Sequence, residues 1–358
     1  MFEIVLALCL KAEPTACVER LAPPALASEN ACLSSGEERA GAWISGHEDV
    51  TLNGWRCVER AALSGAISPY EVVEVADGVF VHEGRVALPT AANAGDLANL
   101  GFVIGEQAVA VIDGGGSRAV GERLYAAIRA RTELPIRWLI LTHMHPDHSL
   151  GASVFQEAGA RVLGHPKLAD ALANRAETYE ENIRRLIGAE AFIGTRVVLP
   201  EVWESDAMER EIDLGGRVLA LRAHPTAHTD NDLSVLDRRT GVWFAGDLVF
   251  AVHTPALDGS IRGWRKLLDA LATENGEARP ARIVPGHGPA SLPWPEGADA
   301  TREYLAALAA ETRAAILSGE SMRRAIEHLG ESQRENWRLF DEFNPRNATA
   351  AYKELEWE

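Results

Sequence analysis

The sequence predicts an α+β fold with a central body of strands and helices, a small unit before it and a helical segment after it. Three observations support this prediction. All four cysteines fall within the first 57 of the 358 residues. Short strand patterns, separated by Asp-Gly and Gly-Glu turn signals, begin at Tyr70. From about Ala298 onward the chain is rich in Ala, Glu and Arg and has no strand pattern.

Composition narrows the class of protein. Hydrophobic residues make up 47% and charged residues 24% of the chain, which is typical of globular proteins and excludes disordered, collagen-like and coiled-coil chains. The chain has 35 Lys and Arg residues against 52 Asp and Glu residues, and the resulting net charge of −17 argues against a nucleic-acid partner. The longest apolar runs, such as residues 4–10, are far shorter than the roughly 20 residues of a membrane-spanning helix, so we expect no membrane span.

Residues 1–65 are predicted to form a small unit of their own with mixed α and β structure. An apolar strand over residues 2–10 opens the unit, a helix follows near residues 25–33, and a strand around residues 55–58 closes it. Residues 64–69, which end in Gly-Ala-Ile-Ser-Pro, are typical of a linker to the next unit.

Clustered cysteines distinguish this N-terminal unit. Their spacings of 8, 15 and 25 residues fit neither a Cys-x-x-Cys redox motif nor a zinc ribbon, so we favour two disulfide bonds, whose pairing stays open. The alternatives are buried free thiols in a reducing cytosol and a four-thiolate metal site. Disulfides indicate an oxidising compartment, the periplasm in a bacterium, although residues 4–10 show no standard signal-peptide pattern. The four residues are Cys9, Cys17, Cys32 and Cys57.

Residues 70–290 form the predicted central unit, in which antiparallel strands come first and alternating helices and strands follow. Residues 291–358 are predicted to form a helical C-terminal extension. Strands are predicted at residues 71–75, 79–82, 100–104, 108–112, 136–141, 218–221, 233–236, 242–245 and 283–284. Helices are predicted at residues 117–131, 150–158, 167–187 and 260–273.

The clearest chemical signal is the segment Thr142-His143-Met144-His145-Pro146-Asp147-His148, which follows a strong apolar strand. Imidazoles and a carboxylate so close together repel when protonated and lose solvation when buried, and a bound dication removes both penalties. Imidazole nitrogen and carboxylate oxygen suit zinc, with manganese or iron as alternatives. Three further residues lie at predicted strand ends, where loops on one side of a sheet meet, and they complete a set large enough for two metal ions. These are His228, Asp247 and His287.

This pattern, HxHxDH followed by a His, a Gly-Asp and a Gly-His-Gly, resembles that of the metallo-β-lactamase superfamily over roughly residues 70–290. The resemblance implies an αββα sandwich that binds two zinc ions. It implies that His143, His145 and His228 hold the first ion, that Asp147, His148 and His287 hold the second, and that Asp247 bridges both. Two such ions share a hydroxide that attacks the substrate, so we expect catalytic roles for Asp147, which can also orient the attacking oxygen, and for Asp247.

Two differences from other branches of that superfamily narrow the expected reaction. Iron-dependent redox members carry a carboxylate where this chain has His145, and true β-lactamases generally lack a bridging carboxylate such as Asp247. Hydrolysis of a small ester, thioester or lactone is therefore the expected reaction, and β-lactam hydrolysis as a side activity is an alternative. The nuclease branches are disfavoured by the net charge of −17.

A closer resemblance rests on Gly246-Asp247-Leu248-Val249-Phe250, on residues 253–255 and 258–264, on the four-cysteine unit and on the C-terminal residues 347–358. Together they resemble bacterial zinc metallohydrolases linked to quinoprotein relay systems, which are similar to hydrolases encoded with sulfur-oxidation genes. This resemblance implies a periplasmic location and a quinoprotein dehydrogenase or relay protein as partner, but no particular substrate. The alternative function is a metal-binding accessory protein that docks on such a partner with little turnover.

Four further residues are candidates for less direct roles. His253, six residues after Asp247, and the aromatic residues Tyr179 and Trp264 are candidate walls of a substrate pocket. Their alternative roles are an ordinary loop histidine and core aromatic residues. Asp113 ends a buried strand near the expected metal edge, where it could hold a ligand imidazole by its free N–H or cap the next helix.

Overall fold

The N-terminal unit is a three-stranded antiparallel sheet covered by one helix. Strand β1 (Phe2–Leu10) lies between β2 (Cys17–Leu21) and β3 (Val50–Glu59), and helix α1 (Glu29–Ser45) packs on β1 and β3. The computed structural model of the protein describes residues 1–201, 208–274 and 280–358.

Helix α1 begins later and runs longer than the predicted helix at residues 25–33. The Ser28 side chain accepts a hydrogen bond from the backbone N–H of Ala31, so Ser28 caps the helix and Glu29 is its first residue. Strand β2 was not predicted because its sequence, Cys-Val-Glu-Arg-Leu, is too polar to show a strand pattern. It forms by pairing with β1, a tertiary contact that overrides weak propensity.

All four cysteines form disulfide bonds. Cys9–Cys17 links the paired strands β1 and β2, and Cys32–Cys57 links helix α1 to strand β3. The favoured expectation of two disulfides is confirmed, and both alternatives, free thiols and a four-thiolate metal site, are wrong.

The first sheet of the central body has six strands in sequence order, of which the first three neighbouring pairs are antiparallel and the last two pairs are parallel. Its strands are β4 (Val73–Ala76), β5 (Val79–His82), β6 (Leu100–Ile104), β7 (Val109–Ile112), β8 (Ile136–Ile140) and β9 (Arg161–Leu163). The helices of this half are α2 (Arg118–Arg129), α3 (Pro146–Ser149), α4 (Ala152–Glu157), α5 (Leu168–Ala173), α6 (Ala176–Ile187) and α7 (Ala189–Phe192). The single helix predicted over residues 167–187 is therefore two helices, and the short β9 was not predicted.

The second sheet also has six strands in sequence order, and only its fourth and fifth strands are parallel. Its strands are β10 (Glu209–Asp213), β11 (Val218–Ala223), β12 (Leu233–Asp237), β13 (Val242–Phe250), β14 (Arg282–His287) and β15 (Leu292–Pro293). The helices of this half are α8 (Ile261–Thr273), α9 (Asp299–Leu317), α10 (Met322–Ala325) and α11 (Phe340–Leu355). The C-terminal segment is helical, as predicted.

The two sheets pack face to face around a buried apolar core. Val81 and Ile112 of the first sheet belong to the same core as Leu221 and Phe244 of the second. The sheets approach so closely that a Cβ on Gly101 would lie 2.2 Å from the Phe244 ring, so this position requires glycine. Helices cover the outer faces, with α2 on the first sheet and α8, α9 and α11 on the second. The predicted αββα sandwich is confirmed.

The N-terminal sheet is attached to helix α2 by buried polar contacts. Arg118 donates to the Leu21 carbonyl at 2.6 Å, and the Leu21 N–H donates to the Glu122 carboxylate at 2.9 Å. Arg118 also pairs with Glu122 at 3.0 Å and with Glu157 at 2.7 Å, so the buried guanidinium is neutralised. Within the described residues, no helix is both long enough and apolar enough to cross a membrane.

Candidate metal centre

Loops from both sheets meet at one edge of the sandwich. The segment with four of the predicted metal ligands follows β8 of the first sheet, whereas Asp247 and His287 lie on the adjacent strands β13 and β14 of the second. His228 lies in the loop between β11 and β12. Seven side chains that are up to 144 residues apart thereby form two neighbouring groups, His143, His145, His228 and Asp247 in one and Asp147, His148 and His287 in the other.

In the first group, the four donor atoms all lie within 4.8 Å of one another. His145 Nδ1 lies 3.1 Å from His143 Nε2 and 3.0 Å from His228 Nε2. Asp247 Oδ2 lies 3.7 Å from His143 Nε2 and 3.4 Å from His228 Nε2. Neighbouring ligand atoms of a tetrahedral zinc ion with bonds of about 2.0–2.1 Å are about 3.3 Å apart, so these separations suit zinc.

The second group has a similar arrangement. His148 Nε2 lies 3.8 Å from Asp147 Oδ2 and 3.2 Å from Asp247 Oδ1. His287 Nε2 lies 3.4 Å from Asp147 Oδ2 and 3.5 Å from Asp247 Oδ1. The two carboxylate oxygens of Asp247 therefore face different groups, Oδ2 the first and Oδ1 the second.

Each of the five imidazoles is held by its other ring nitrogen. The acceptors are Thr142 Oγ1 for His143 at 3.0 Å, Asp258 Oδ2 for His145 at 3.3 Å, Asp113 Oδ2 for His148 at 2.8 Å, the Ala256 carbonyl for His228 at 2.6 Å and the Leu97 carbonyl for His287 at 3.1 Å. A neutral imidazole that donates its N–H outward points a lone pair inward, which is the orientation that metal-binding histidines have.

The inward-facing atoms fit a cation. Lone pairs of His143, His145 and His228 at separations of 3.0–3.1 Å repel unless a positive charge lies between them. In the second group, His148 Nε2 and Asp247 Oδ1 are buried and have no hydrogen-bond partner, a costly condition that a bound cation removes. Imidazole nitrogen and carboxylate oxygen are both ligands that zinc binds in proteins.

The two groups differ in protonation. Burial, followed by repulsion from His148, holds the pKa of His143 well below its ordinary value, and burial lowers the pKa of His228 to about 3. Both rings are therefore neutral at physiological pH and ready to bind a cation.

In the second group, neighbouring carboxylates raise the pKa values of the two histidines. Burial alone would lower the pKa of His148, but Asp247 and Asp113 raise it well above its ordinary value. Burial is likewise outweighed at His287, where Asp247 and Asp147 raise the pKa. A cation that binds to this group must displace protons.

Asp113 ties residues 142–148, here called the metal-site loop, to the end of strand β7. Its carboxylate accepts hydrogen bonds from the backbone N–H and hydroxyl of Thr142, each at 2.8 Å, and from His148 Nδ1. The residue has a φ of 62°, a left-handed conformation that is uncommon outside glycine and that costs free energy. The hydrogen bond from His148 corresponds to one of the two roles suggested by the sequence for Asp113, that of holding a ligand imidazole.

Close approach of strands β13 and β14 requires a glycine before His287. A Cβ on Gly286 would lie 1.8 Å from Asp247 Oδ1, so any other residue would displace the carboxylate or the strand. The Gly-His-Gly pattern of the sequence thus has a steric cause.

A cleft of about 930 Å³ opens over the two groups. Two of the three candidate pocket residues, His253 and Tyr179, line it together with Asp147 and Asp247. Trp264 does not line it. Its indole is fully buried, donates to the Leu248 carbonyl at 2.9 Å and lies 5.4 Å from the His228 ring, so Trp264 is a core residue behind the site.

Two features of the site were not predicted. Asp258, which holds His145, lies in a loop more than 100 residues away, and only its position just before Ser260, the N-cap of α8, was a signal in the sequence. Helix α11 forms one wall of the cleft with Phe343, Arg346, Ala350 and other residues. Its sequence shows a helix but not the surface on which the helix packs.

Comparison with known proteins agrees with this geometry. The family model described as the metallo-beta-lactamase superfamily matches residues 94–287, a range that includes all seven residues of the two groups. No curated protein matches the chain in sequence.

Solved structures share the fold at low sequence identity. A metallo-beta-lactamase from Pontibacter korlensis is 20% identical, with a TM-score of 0.52, over 66% of this chain and 98% of its own. The metallo-beta-lactamase FIM-1 from Pseudomonas aeruginosa, in its mono-zinc form, is 17% identical, with a TM-score of 0.51, over 66% of this chain and 95% of its own. The stereoselective inverting sec-alkylsulfatase Pisa1 from Pseudomonas sp. is 16% identical, with a TM-score of 0.58, over 83% of this chain and 51% of its own.

Proposed function

We propose that this chain, which belongs to the metallo-beta-lactamase superfamily, is a dinuclear zinc hydrolase that cleaves a small ester, thioester or lactone. The observation that carries the proposal is the position of Asp247, whose two carboxylate oxygens face two separate groups of metal donors. One ion would be held by His143, His145 and His228, the other by Asp147, His148 and His287, with Asp247 shared.

Two ions at these groups would supply Lewis acidity toward a substrate carbonyl and lower the pKa of water. The roles of individual side chains follow from their positions in the cleft. Asp147 lines it and is therefore placed to accept a hydrogen bond from the attacking water and orient it. His253 donates from Nδ1 to the Thr254 carbonyl at 2.6 Å, which leaves Nε2 as its hydrogen-bond acceptor. Burial, followed by repulsion from His287, lowers the pKa of His253 to about 4, so this acceptor stays neutral at physiological pH.

The walls of the cleft support an acyl substrate of moderate size. Leu88, Leu97, Phe250 and Leu257 line it, so it offers apolar contacts to the body of a substrate. A carbonyl ester, thioester or lactone matches this lining, and β-lactam opening would be a side activity. Manganese or iron in place of zinc is the alternative for the metal.

The cellular context is also part of the proposal. Two disulfides support an oxidising compartment, and we place the protein in the periplasm beside a quinoprotein dehydrogenase or relay protein, following the sequence resemblance. Residues 1–65, 70–290 and 291–358 would be the partner-docking, catalytic and cleft-forming units. The second candidate function is an accessory protein that binds metal and the partner with little turnover.

Metal analysis combined with a substrate panel tests the proposal. We expect about two zinc ions per chain after reconstitution, and hydrolysis of at least one compound in a panel of thioesters, esters and lactones that a chelator abolishes. A β-lactam belongs in the panel as the side-activity control. Two zinc ions without hydrolysis of any compound would favour the accessory function, and fewer than one ion would contradict both.

A further inference from the structure

One face of helix α11 forms a wall of the cleft. Phe343, Arg346, Asn347, Ala350 and Lys353 all line it. Their spacings of three, four, seven and ten residues from Phe343 place them on the same side of an α-helix. A helix rises 1.5 Å per residue, so Arg346 and Lys353 are about 10 Å apart along the wall.

Buried contacts hold this wall in place relative to the candidate metal centre. Asn347 accepts from the Leu257 N–H at 2.9 Å and donates to the Pro255 carbonyl at 2.6 Å. The Phe343 ring lies 4.5 Å from the His253 ring, which lies 4.7 Å from the His287 ring.

At the other end of the wall, the Glu354 carboxylate accepts from the Ser260 hydroxyl at 2.7 Å and the Ile261 N–H at 2.8 Å. Glu354 therefore ties α11 to the first turn of α8. Because both ends are anchored, the face of α11 is a preformed part of the cleft.

The two positive charges on this wall do not stabilise the fold through any contact within the described residues. Arg346 and Lys353 are exposed, and neither forms an ion pair or a side-chain hydrogen bond with any residue that the structure describes. The acidic groups that line the cleft are already engaged, since Asp147 and Asp247 face the metal donors and Asp258 holds His145. The chain has a net charge of −17, so these two unpaired cations beside the candidate metal centre are opposite in sign to most of its charged groups.

We propose that the substrate carries an anionic group, remote from the bond that is cleaved, and that Arg346 and Lys353 bind this group on the wall formed by α11. The inference rests on the proposed hydrolase function and narrows its substrate class to anionic esters or thioesters with an apolar body. The Arg346 guanidinium suits bidentate contact with a carboxylate or sulfonate, and Lys353 adds a second positive charge along the same wall.

Matched substrates test the inference. Three thioesters of equal chain length, ending in a methyl, a carboxylate or a sulfonate group, are compared with the zinc-loaded protein. We expect a higher kcat/KM for an anionic thioester than for the methyl one, and a preference that weakens as ionic strength rises. In the double variant Arg346→Gln, Lys353→Gln, this preference should fall about tenfold through KM, a modest factor because exposed charge contacts are individually weak. Arg346→Lys should retain part of the preference.

Binding without turnover separates this inference from the proposed function. Thioether analogues of the same three compounds cannot be hydrolysed, and calorimetry measures their Kd for the wild-type protein and the double variant. Arg137→Gln is the control, since Arg137 is exposed near the start of β8, at the end of that strand remote from the metal-site loop. Tighter binding of an anionic analogue that is lost only in the double variant supports the inference even if no thioester is hydrolysed. Equal binding of all three analogues, or equal Kd values in wild type and double variant, would overturn it.

Discussion

Replacement of Asp247 by Asn changes charge at the point that joins the two donor groups while it preserves the shape of the side chain. Oδ1 lies 3.2 Å from His148 Nε2, and Oδ2 lies 3.4 Å from His228 Nε2. An amide keeps an oxygen toward one group only and presents an NH2, which cannot bind a cation, to the other. Four-ligand zinc sites bind the ion with a free energy of about 10–16 kcal/mol, which is about 3 kcal/mol per ligand. The affinity of one of the two groups for zinc should therefore fall about 100-fold.

The assay is zinc content per chain after dialysis against buffered zinc, together with kcat/KM for the best substrate. We expect Asp247→Asn to retain about one ion where the wild type binds two, with activity reduced by about 100-fold or more. Asp269→Asn is the matched control, because Asp269 is exposed on α8 and, among the residues that the structure describes, its carboxylate pairs only with Arg302. Two tightly bound ions in Asp247→Asn would refute the shared role of this carboxylate.

Three further predictions follow from the same geometry. Asp113→Ala removes the acceptor for His148 Nδ1 and should weaken zinc binding about 10–100-fold in competition with a chelator, whereas unchanged affinity would argue against a positioning role. Because neighbouring carboxylates raise the pKa values of His148 and His287, zinc binding to their group should release protons and weaken as pH falls; calorimetry in buffers of different ionisation enthalpy measures this, and pH-independent binding would contradict it. Replacing Cys32 and Cys57 together by Ser opens a 25-residue loop and should lower the free energy of unfolding by about 3.5 kcal/mol in denaturant titrations, a cost that would be absent if the native cysteines were unpaired.

The metal donors were predictable to the extent that they are local in sequence. Four of them fall within six residues after an apolar strand, and a segment this short cannot place them far apart. His228 and His287 were predictable because strand ends and the loops that follow them meet at one edge of a sheet. Asp247 lies inside β13, which continues to Phe250 and does not end at residue 245 as predicted. Which Asp247 oxygen faces which group depends on how β13 lies beside β14, and no local pattern encodes that.

The missed elements have little intrinsic signal. Strand β9 has only three residues and forms by parallel pairing with β8. The break between α5 and α6 at Asn174 and Arg175 lies inside a continuous helical pattern. Tertiary pairing and packing decided both, since propensity over so few residues amounts to only tenths of a kcal/mol.

Two aromatic residues show the same difference between what the local sequence indicates and what tertiary packing decides. Tyr179 and Trp264 both lie on helices and were equal candidates for the pocket wall. The structure places Tyr179 at the cleft and buries Trp264 behind His228. Helical periodicity indicates which residues share a face but not whether that face meets a cleft or a core.

The sequence by itself determined the kinds of chemical group at the site and the cluster of cysteines available for disulfides, because these depend on residue type and short-range spacing. The αββα class followed from the family that the metal-ligand pattern resembles. Only the tertiary structure decided that Cys9 pairs with Cys17, that Asp258 holds His145, and that α11 brings two cations to the cleft. Most of these contacts join segments about 100 residues apart or more, whose meeting depends on how whole sheets and helices pack rather than on any local pattern.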